Sequence, residues 1–312
     1  MFSATLPSSP LHHHHHHLLP SSSPPPSSTN LPLTRRSLLL LSTTSLSSTT
    51  PPPPPPPPLP LPSPSPPLPD TTITDRVFMD FSICSTFFRS DRTLADADLS
   101  TCNDSVPLGR LVLGLYGNLV PTTVSNFKSM CTDSSGSSYK GTLVHKIFPG
   151  QFFLAGRQGR RGERGEVRLP LDLARNTETV SSKAFALRHS RAGVVSLCLS
   201  ENDDDDEAKL DPNYRNVEFL ITTGPGPCPQ LDNKNIVFGT VVEGLDVVAA
   251  IASIPTYVPS ERIRQFNDLA EFFGDERAQN ARGIWNRPLK TVYISDCGEL
   301  KVAKPSLSPI LP

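Results

Sequence analysis

The first 69 of the chain's 312 residues contain no aspartate, glutamate, lysine, glycine or cysteine, and their only ionised side chains are Arg35 and Arg36. Serine, threonine, proline and leucine make up most of that stretch, which holds 21 of the 35 prolines. Such a segment buries too little apolar surface to offset its ordering entropy, so no packed domain is expected there. No apolar run, that at Leu38 to Leu41 included, approaches the roughly 18 residues that would span a bilayer, and no membrane span is expected. Six cysteines (Cys84, Cys102, Cys131, Cys198, Cys228 and Cys297) are widely spaced without a C-x-x-C pair, which argues against a zinc site or a thioredoxin-type motif. From Asp70 onward 27 basic side chains face 30 acidic ones, a balance that gives no general attraction to nucleic acid or an acidic membrane.

What the leader does contain has the composition of an organelle transit peptide, because import needs an unfolded, non-acidic chain. Arg35-Arg36 precedes Ser37 and Leu38 to Leu41, which resembles the twin-arginine signals that chloroplasts use to reach the thylakoid lumen. Paired arginines before leucines also arise by chance, and Pro51 to Pro58 follows in place of a small-x-small cleavage site. The proline run reads as a stiff polyproline II linker rather than an SH3-type ligand. His12 to His17 resembles a purification tag yet is embedded in leader-like sequence, and carries no catalytic meaning either way. Residues 1–69 are therefore read as a disordered targeting leader with the chloroplast thylakoid lumen as destination.

Beyond it, short Val/Ile/Leu/Phe-rich runs recur between Gly, Pro, Asn and Asp: residues 77–81, 110–116, 144–148, 152–155, 194–199, 217–222, 236–242 and 291–295. That spacing predicts an all-β sandwich or barrel. Helical spacing appears at 122–131 after Pro121, and at 244–254 through Val247, Val248 and Ile251. Eight strands and two helices suggest a closed barrel with a helix at each open end. A third helix is predicted over 261–273, capped by Ser260 and carrying a stripe of Ile263, Phe266, Leu269 and Phe273. The stripe either packs on the barrel or docks a partner; packing is the commoner outcome.

Five ordered blocks then resemble one family. They begin at Pro107 (PLGRLVLGLY), Val120 (VPTTVSNF), Tyr139 (YKGTLVHKIFPG), Leu231 (LDNKNIVFG) and Val242 (VEGLDVV), and Ile294 opens a similar closing strand (ISDCGEL). In this order they resemble the cyclophilins, peptidyl-prolyl cis-trans isomerases (rotamases) built on a closed eight-stranded antiparallel barrel capped by two helices. The resemblance implies no metal and no cofactor. Isomerisation crosses a barrier of roughly 18–20 kcal/mol, and the family lowers it by holding the proline in an apolar pocket and donating a hydrogen bond to the prolyl nitrogen as amide resonance breaks.

Where the family's donor is arginine, this chain has Lys146, which keeps the charge but loses the planar fork. A solvated lysine on a strand is the competing reading. The pocket positions that the resemblance assigns to peptide binding are Gln151, Phe152, Leu154, Leu197, Leu199, Glu218, Leu220, Gln230, Leu231 and Asn235. Gln151 stands for a phenylalanine, Leu154 for a glutamine, Leu197 for a methionine, Glu218 for a glutamine, Leu220 for a phenylalanine, Gln230 for a tryptophan and Asn235 for a histidine. Leu197, Leu220, Leu231 and Phe152 are expected to form a proline-sized apolar patch, while the polar arrangement around it is largely replaced. Loss of one aimed donor costs about 10²–10³ in rate at other preorganised sites, so weak turnover is expected and cyclosporin binding is doubtful.

The isomerase domain is placed at 70–300, with inserts at 82–106, 200–216 and 255–288 and a flexible tail at 301–312. In an oxidising lumen Cys84 and Cys102 either form a disulfide or remain two thiols. The acidic run Asp203 to Glu207 is read as a solvated loop rather than a calcium site. The Arg/Gly segment 156–168 is read first as a flexible charged loop, then as a basic rim to the peptide groove or an RNA contact. No G-x-S-x-G or plausible Ser-His-Asp order is visible, which sets a hydrolase aside. Two functions remain: an isomerase acting on proline-containing segments of client proteins, or a non-catalytic peptide-binding scaffold for a thylakoid complex. In either case the chain is expected to be a monomer.

Overall fold

The computed structural model describes residues 68–88, 104–134, 136–159, 165–204, 206–301 and 306–307; His12 to His17, Arg35-Arg36, Cys102 and Arg160 to Arg164 lie outside them. The described residues belong to one compact unit, Pro64–Pro312. Its strands in chain order are β1 (Thr72–Ile73), β2 (Asp75–Phe88), β3 (Ser105–Leu115), β4 (Val144–Phe148), β5 (Phe152–Ala155), β6 (Val194–Leu197), β7 (Phe219–Thr222), β8 (Ile236–Glu243), β9 (Lys290–Leu300) and β10 (Ser306–Leu307). Its helices are α1 (Pro121–Cys131), α2 (Asp206–Lys209), α3 (Leu245–Ala252), α4 (Glu261–Phe272) and α5 (Glu276–Gly283). None of the described helices is long and apolar enough to cross a membrane.

Strands β2 to β9 form one antiparallel sheet in the order β4-β5-β7-β6-β8-β3-β2-β9. The sheet curls until its two edges meet. Leu143 bridges Tyr293, the Gly141 N–H donates to the Ile294 carbonyl at 2.7 Å, and the Ile294 N–H donates to the Thr142 carbonyl at 2.9 Å. The expected eight-stranded antiparallel barrel is thus a strongly curled half-barrel, its seam a bridge and two hydrogen bonds rather than a full ladder.

Alternation along the strands decides which side chains fill the interior. Val77, Met79 and Phe81 of β2 and Leu111, Leu113 and Leu115 of β3 are fully buried, and α1 and α3 add Phe127, Met130, Val247, Val248 and Ile251 to the same core. Phe127 meets Tyr139, Phe219 and Phe238 with ring centroids 5.2, 5.3 and 4.7 Å away. Burial of each such ring contributes roughly 2–3 kcal/mol. No local side chain caps α1. Instead Glu178, from a 3-10 turn, accepts the Thr122 and Thr123 N–H groups at 2.8 and 2.9 Å, answering the helix's orphan donors with a negative charge. Gly244 begins α3 with φ +92°, where a Cβ would lie 2.3 Å from the Arg110 carbonyl, so only glycine fits.

Two details add to the expected domain layout, and one expectation needs correction. The first insert, read as a connection from Ser82, continues both strands: after a bulge at Phe81/Ser82, Ser82 pairs with Pro107, Ile83 with Val106 and Cys84 with Ser105. Cys84 is disulfide-bonded, and its expected partner Cys102 lies outside the described residues. The tail after Leu300 contributes β10, which pairs with β1 through Thr72 opposite Leu307 and Ile73 opposite Ser306. The α4 stripe does not pack on the barrel. Phe266 is 65 % exposed and Phe273 77 % exposed, with Ile263, Leu269 and Phe272 exposed as well, whereas Asn267 is the buried residue of that helix.

Candidate functional site

Strands β4, β5 and β7 present one face to the main core through Ile147, Phe153, Ala155, Phe219 and Ile221. Their other face carries a separate apolar cluster: Phe152, Leu154, Cys198, Leu220, Cys228 and Leu231, with Phe148 against it. Phe148 and Phe152 stack with ring centroids 4.5 Å apart. The strand register sets Lys146 opposite Leu154, Leu154 opposite Leu220 and Leu220 opposite Ser196, one row across four strands. At roughly 4.8 Å per strand, Lys146 lies one step from the cluster. A β-bulge between Val144 and Lys146 turns His145 and Lys146 away from the core that Val144 and Ile147 enter.

Four of the predicted pocket residues, Phe152, Leu154, Leu220 and Leu231, therefore meet in one cluster. They fill it against one another: Leu154, Leu220 and Leu231 are fully buried. Gln151 and Gln230 join the flanking loops, the Gln230 Nε2 donating to the Gln151 Oε1 at 2.8 Å. Leu197 belongs to the main core, away from the cluster where it was expected, and Leu199 packs at that core's margin. Both follow from the strand alternation, which puts Ser196 rather than Leu197 in the outer row. Asn235 is fully buried, and its Oδ1 accepts the N–H groups of Leu199 and Ser200 at 2.8 and 3.1 Å while its Nδ2 donates to Ser200 Oγ at 2.9 Å.

Beside the cluster lies a polar region that no local pattern announces. Lys146 Nζ is 2.9 Å from Asp203 Oδ2. The Asp203 N–H donates to Glu218 Oε2 at 2.9 Å, and Glu218 Oε1 lies 2.7 Å from His145 Nε2. That last contact is close but poorly directed, leaving both His145 ring nitrogens and Glu218 Oε1 without an aimed hydrogen bond. Burial, only partly opposed by nearby acids, pushes His145 down to about 3. It also pushes Glu218 up to about 8, where the bond from Asp203 works in the opposite sense. Both are therefore uncharged near neutral pH, and Glu218 then carries a proton much as a glutamine carries its amide hydrogens.

The acidic run is a solvated loop only in part: Asp206 and Glu207 are exposed, but Asp204 is not. Asp204 is buried, accepting the Gln158 N–H at 2.6 Å and the Tyr214 hydroxyl at 2.7 Å, and burial with Glu218 nearby raises it to about 6. These partners come from elements far apart in sequence, so composition could not reveal them. Of the Arg/Gly segment, the described ends fold back on each other: Gln158 bridges Val167, and Arg157 Nη1 lies 3.5 Å from Glu166.

One assembly was missed outright. His189 Nδ1 is 2.9 Å from Asp232 Oδ1 and its Nε2 is 2.8 Å from Ser196 Oγ, the relay of a hydrolytic triad. Ser196 and His189 are fully buried, so no substrate carbonyl reaches the hydroxyl, and the trio braces β6 against the turn at Asp232. A groove of about 470 Å³ lies elsewhere, beside Asp75, Lys128 and Glu299; Lys128 already bridges the two carboxylates at 2.6 and 2.8 Å.

The family model for cyclophilin-type peptidyl-prolyl cis-trans isomerases matches residues 98–270. A chloroplastic peptidyl-prolyl cis-trans isomerase of Arabidopsis thaliana, CYP28, is 72% identical over 248 residues, 79% of this chain and 88% of the relative. The cyp11 isomerase of Rhizopus delemar is 28% identical across 65% of this chain and 49% of its own length. An Encephalitozoon cuniculi isomerase is 32% identical across 62% of this chain and 87% of its own.

Proposed function

The chain belongs to the cyclophilin-type peptidyl-prolyl cis-trans isomerase family, and from that premise we propose that it is a slow isomerase acting on proline-containing segments of client proteins inside the chloroplast, with the thylakoid lumen as its compartment. The observation that carries the site is the row in which Lys146 stands one strand from the apolar cluster of Leu154 and Leu220. In this reading a peptide proline enters beside Phe152, Leu154, Leu220 and Leu231, and Lys146 Nζ donates toward the prolyl nitrogen as its lone pair becomes free. Gln151 and Gln230 form the rim, and protonated Glu218 supplies a polar wall. The donor acts mainly on the transition state, because planar amide nitrogen is a poor acceptor.

Low catalytic efficiency (kcat/KM) follows from two features. The cluster is closed on itself, so a proline ring must displace packed side chains, and Lys146 is tied to Asp203. Plastid location is supported by the leader's composition and by the chloroplastic relative; Arg35-Arg36 supports the lumen. The same closed cluster, with the exposed α4 stripe, favours a second reading as a non-catalytic scaffold for a thylakoid complex.

A prolyl-peptide isomerisation assay of the full chain beside Lys146→Ala separates these. The expected result is measurable turnover that falls about 10-fold or more in the variant, in line with the loss of an aimed donor. Turnover at buffer background supports the scaffold, and full activity in the variant removes Lys146 from the mechanism. A fluorescent fusion to residues 1–75 is expected in the plastid; cytosolic signal overturns the location.

A further inference from the structure

Both titratable residues that depart from the family pattern, Lys146 and Glu218, are engaged by one residue of the 200–216 insert. Asp203 places its carboxylate 2.9 Å from Lys146 Nζ and gives its backbone N–H to Glu218 Oε2 at 2.9 Å. The insert is held there by built contacts. Asp204 Oδ1 accepts the Gln158 N–H at 2.6 Å, Asp204 Oδ2 accepts the Tyr214 hydroxyl at 2.7 Å, and Asn202 Nδ2 donates to Asn216 Oδ1 at 3.1 Å. Lys146 keeps only 14 % of its side chain exposed and Asp203 27 %, so the ion pair is partly shielded yet open to exchange.

We propose that Asp203 is a latch on the peptide site: its carboxylate occupies Lys146 as an internal ligand, and a client peptide must displace it before the ammonium can face a prolyl nitrogen. The inference rests on Lys146 being the donor. A carboxylate in contact takes one of the ammonium's three N–H groups and answers its charge, which weakens the remaining donors. Because the latch competes with substrate in the ground state and has left by the transition state, it raises KM and leaves kcat nearly unchanged. A partly exposed ion pair of this kind is worth about fivefold in an equilibrium.

The test compares the full chain with Asp203→Asn, Asp203→Glu, Lys146→Ala and the Lys146→Ala/Asp203→Asn double variant. Asp203→Asn is expected to lower KM for a prolyl tetrapeptide about fivefold at constant kcat, Asp203→Glu to restore the higher KM, and the double variant to match Lys146→Ala. An unchanged KM in Asp203→Asn, or a gain that persists without Lys146, overturns the latch. Amide hydrogen exchange gives a reading that needs no turnover: Lys146→Ala is expected to speed exchange at Asp203 and Asp204 about fivefold, with distant β2 and β3 amides unaffected. If every variant turns over at background, the isomerase reading fails and the exchange arm alone decides the latch; unchanged exchange then overturns it as well.

Discussion

Glu218 and His145 respond to pH in opposite directions. Burial raises the Glu218 carboxyl to about 8 from an ordinary 4.5, so its contribution to stability is full below 4.5 and is lost as pH rises through 8. His145 is lowered to about 3 from 6.5, so its contribution is full above 6.5 and is lost as pH falls through 3. Asp204, raised to about 6 from 3.8, behaves like Glu218 over that lower range. Between pH 6.5 and 8 Glu218 is the member of this trio that changes state. Stability is therefore expected to climb as pH is lowered from 8 to 6.5, with a slope approaching 1.4 kcal/mol, on the order of one proton's linkage, per pH unit. Calorimetry on Glu218→Gln is expected to show a flatter pH dependence and a higher Tm at pH 8. An unchanged slope would mean Glu218 is already ionised. The sequence supplied the position of Glu218 through its resemblance to a pocket glutamine, but Asp203 and His145 had no local signal, because their meaning arises only when β4, β7 and the insert meet.

At the scale of elements, α4 departs most from its own pattern. Its boundaries and its Ser260 cap were legible: the Ser260 Oγ accepts the Ile263 N–H at 3.4 Å. The helical spacing of Ile263, Phe266, Leu269 and Phe273 was equally clear, yet periodicity defines a face without saying what covers it. In the folded chain Asn267 takes the inward position, and α5 is secured to α4 by Arg282, whose Nη2 lies 2.7 Å from Asp268 and contacts Glu271. Phe266→Ser and Phe273→Ser are accordingly expected to change the unfolding free energy by no more than exposed substitutions do, about ±0.5 kcal/mol. Their retention on a hydrophobic resin is expected to fall; a large loss of Tm would show that these rings are buried. The helix α1 shows the converse case, since its N-terminus is answered by Glu178, some 55 residues away, and no capping signature in the local sequence foretold it.

For the whole molecule, the compact unit Pro64–Pro312 contains both apolar clusters and the polar region around Lys146. Expressed without the first 63 residues, it is expected to unfold in one cooperative transition at the Tm of the full chain, and a lower Tm would assign those residues a stabilising role. Composition by itself was enough to separate an acid-free N-terminal segment from the remainder, and alternation with turn residues was enough to mark eight strands, because these signals are local. Motif order identified the family, since Pro121, Gly244 and the runs at Val144 and Ile236 occur where its backbone needs them. Tertiary structure alone decided that the edges of the sheet meet at Leu143 and Tyr293, that Ser196, His189 and Asp232 form a buried brace, and that the acidic insert closes on Lys146. Each of these depends on partners brought together across the curl of the sheet, where burial and charge are set by neighbours that the chain's linear order does not specify.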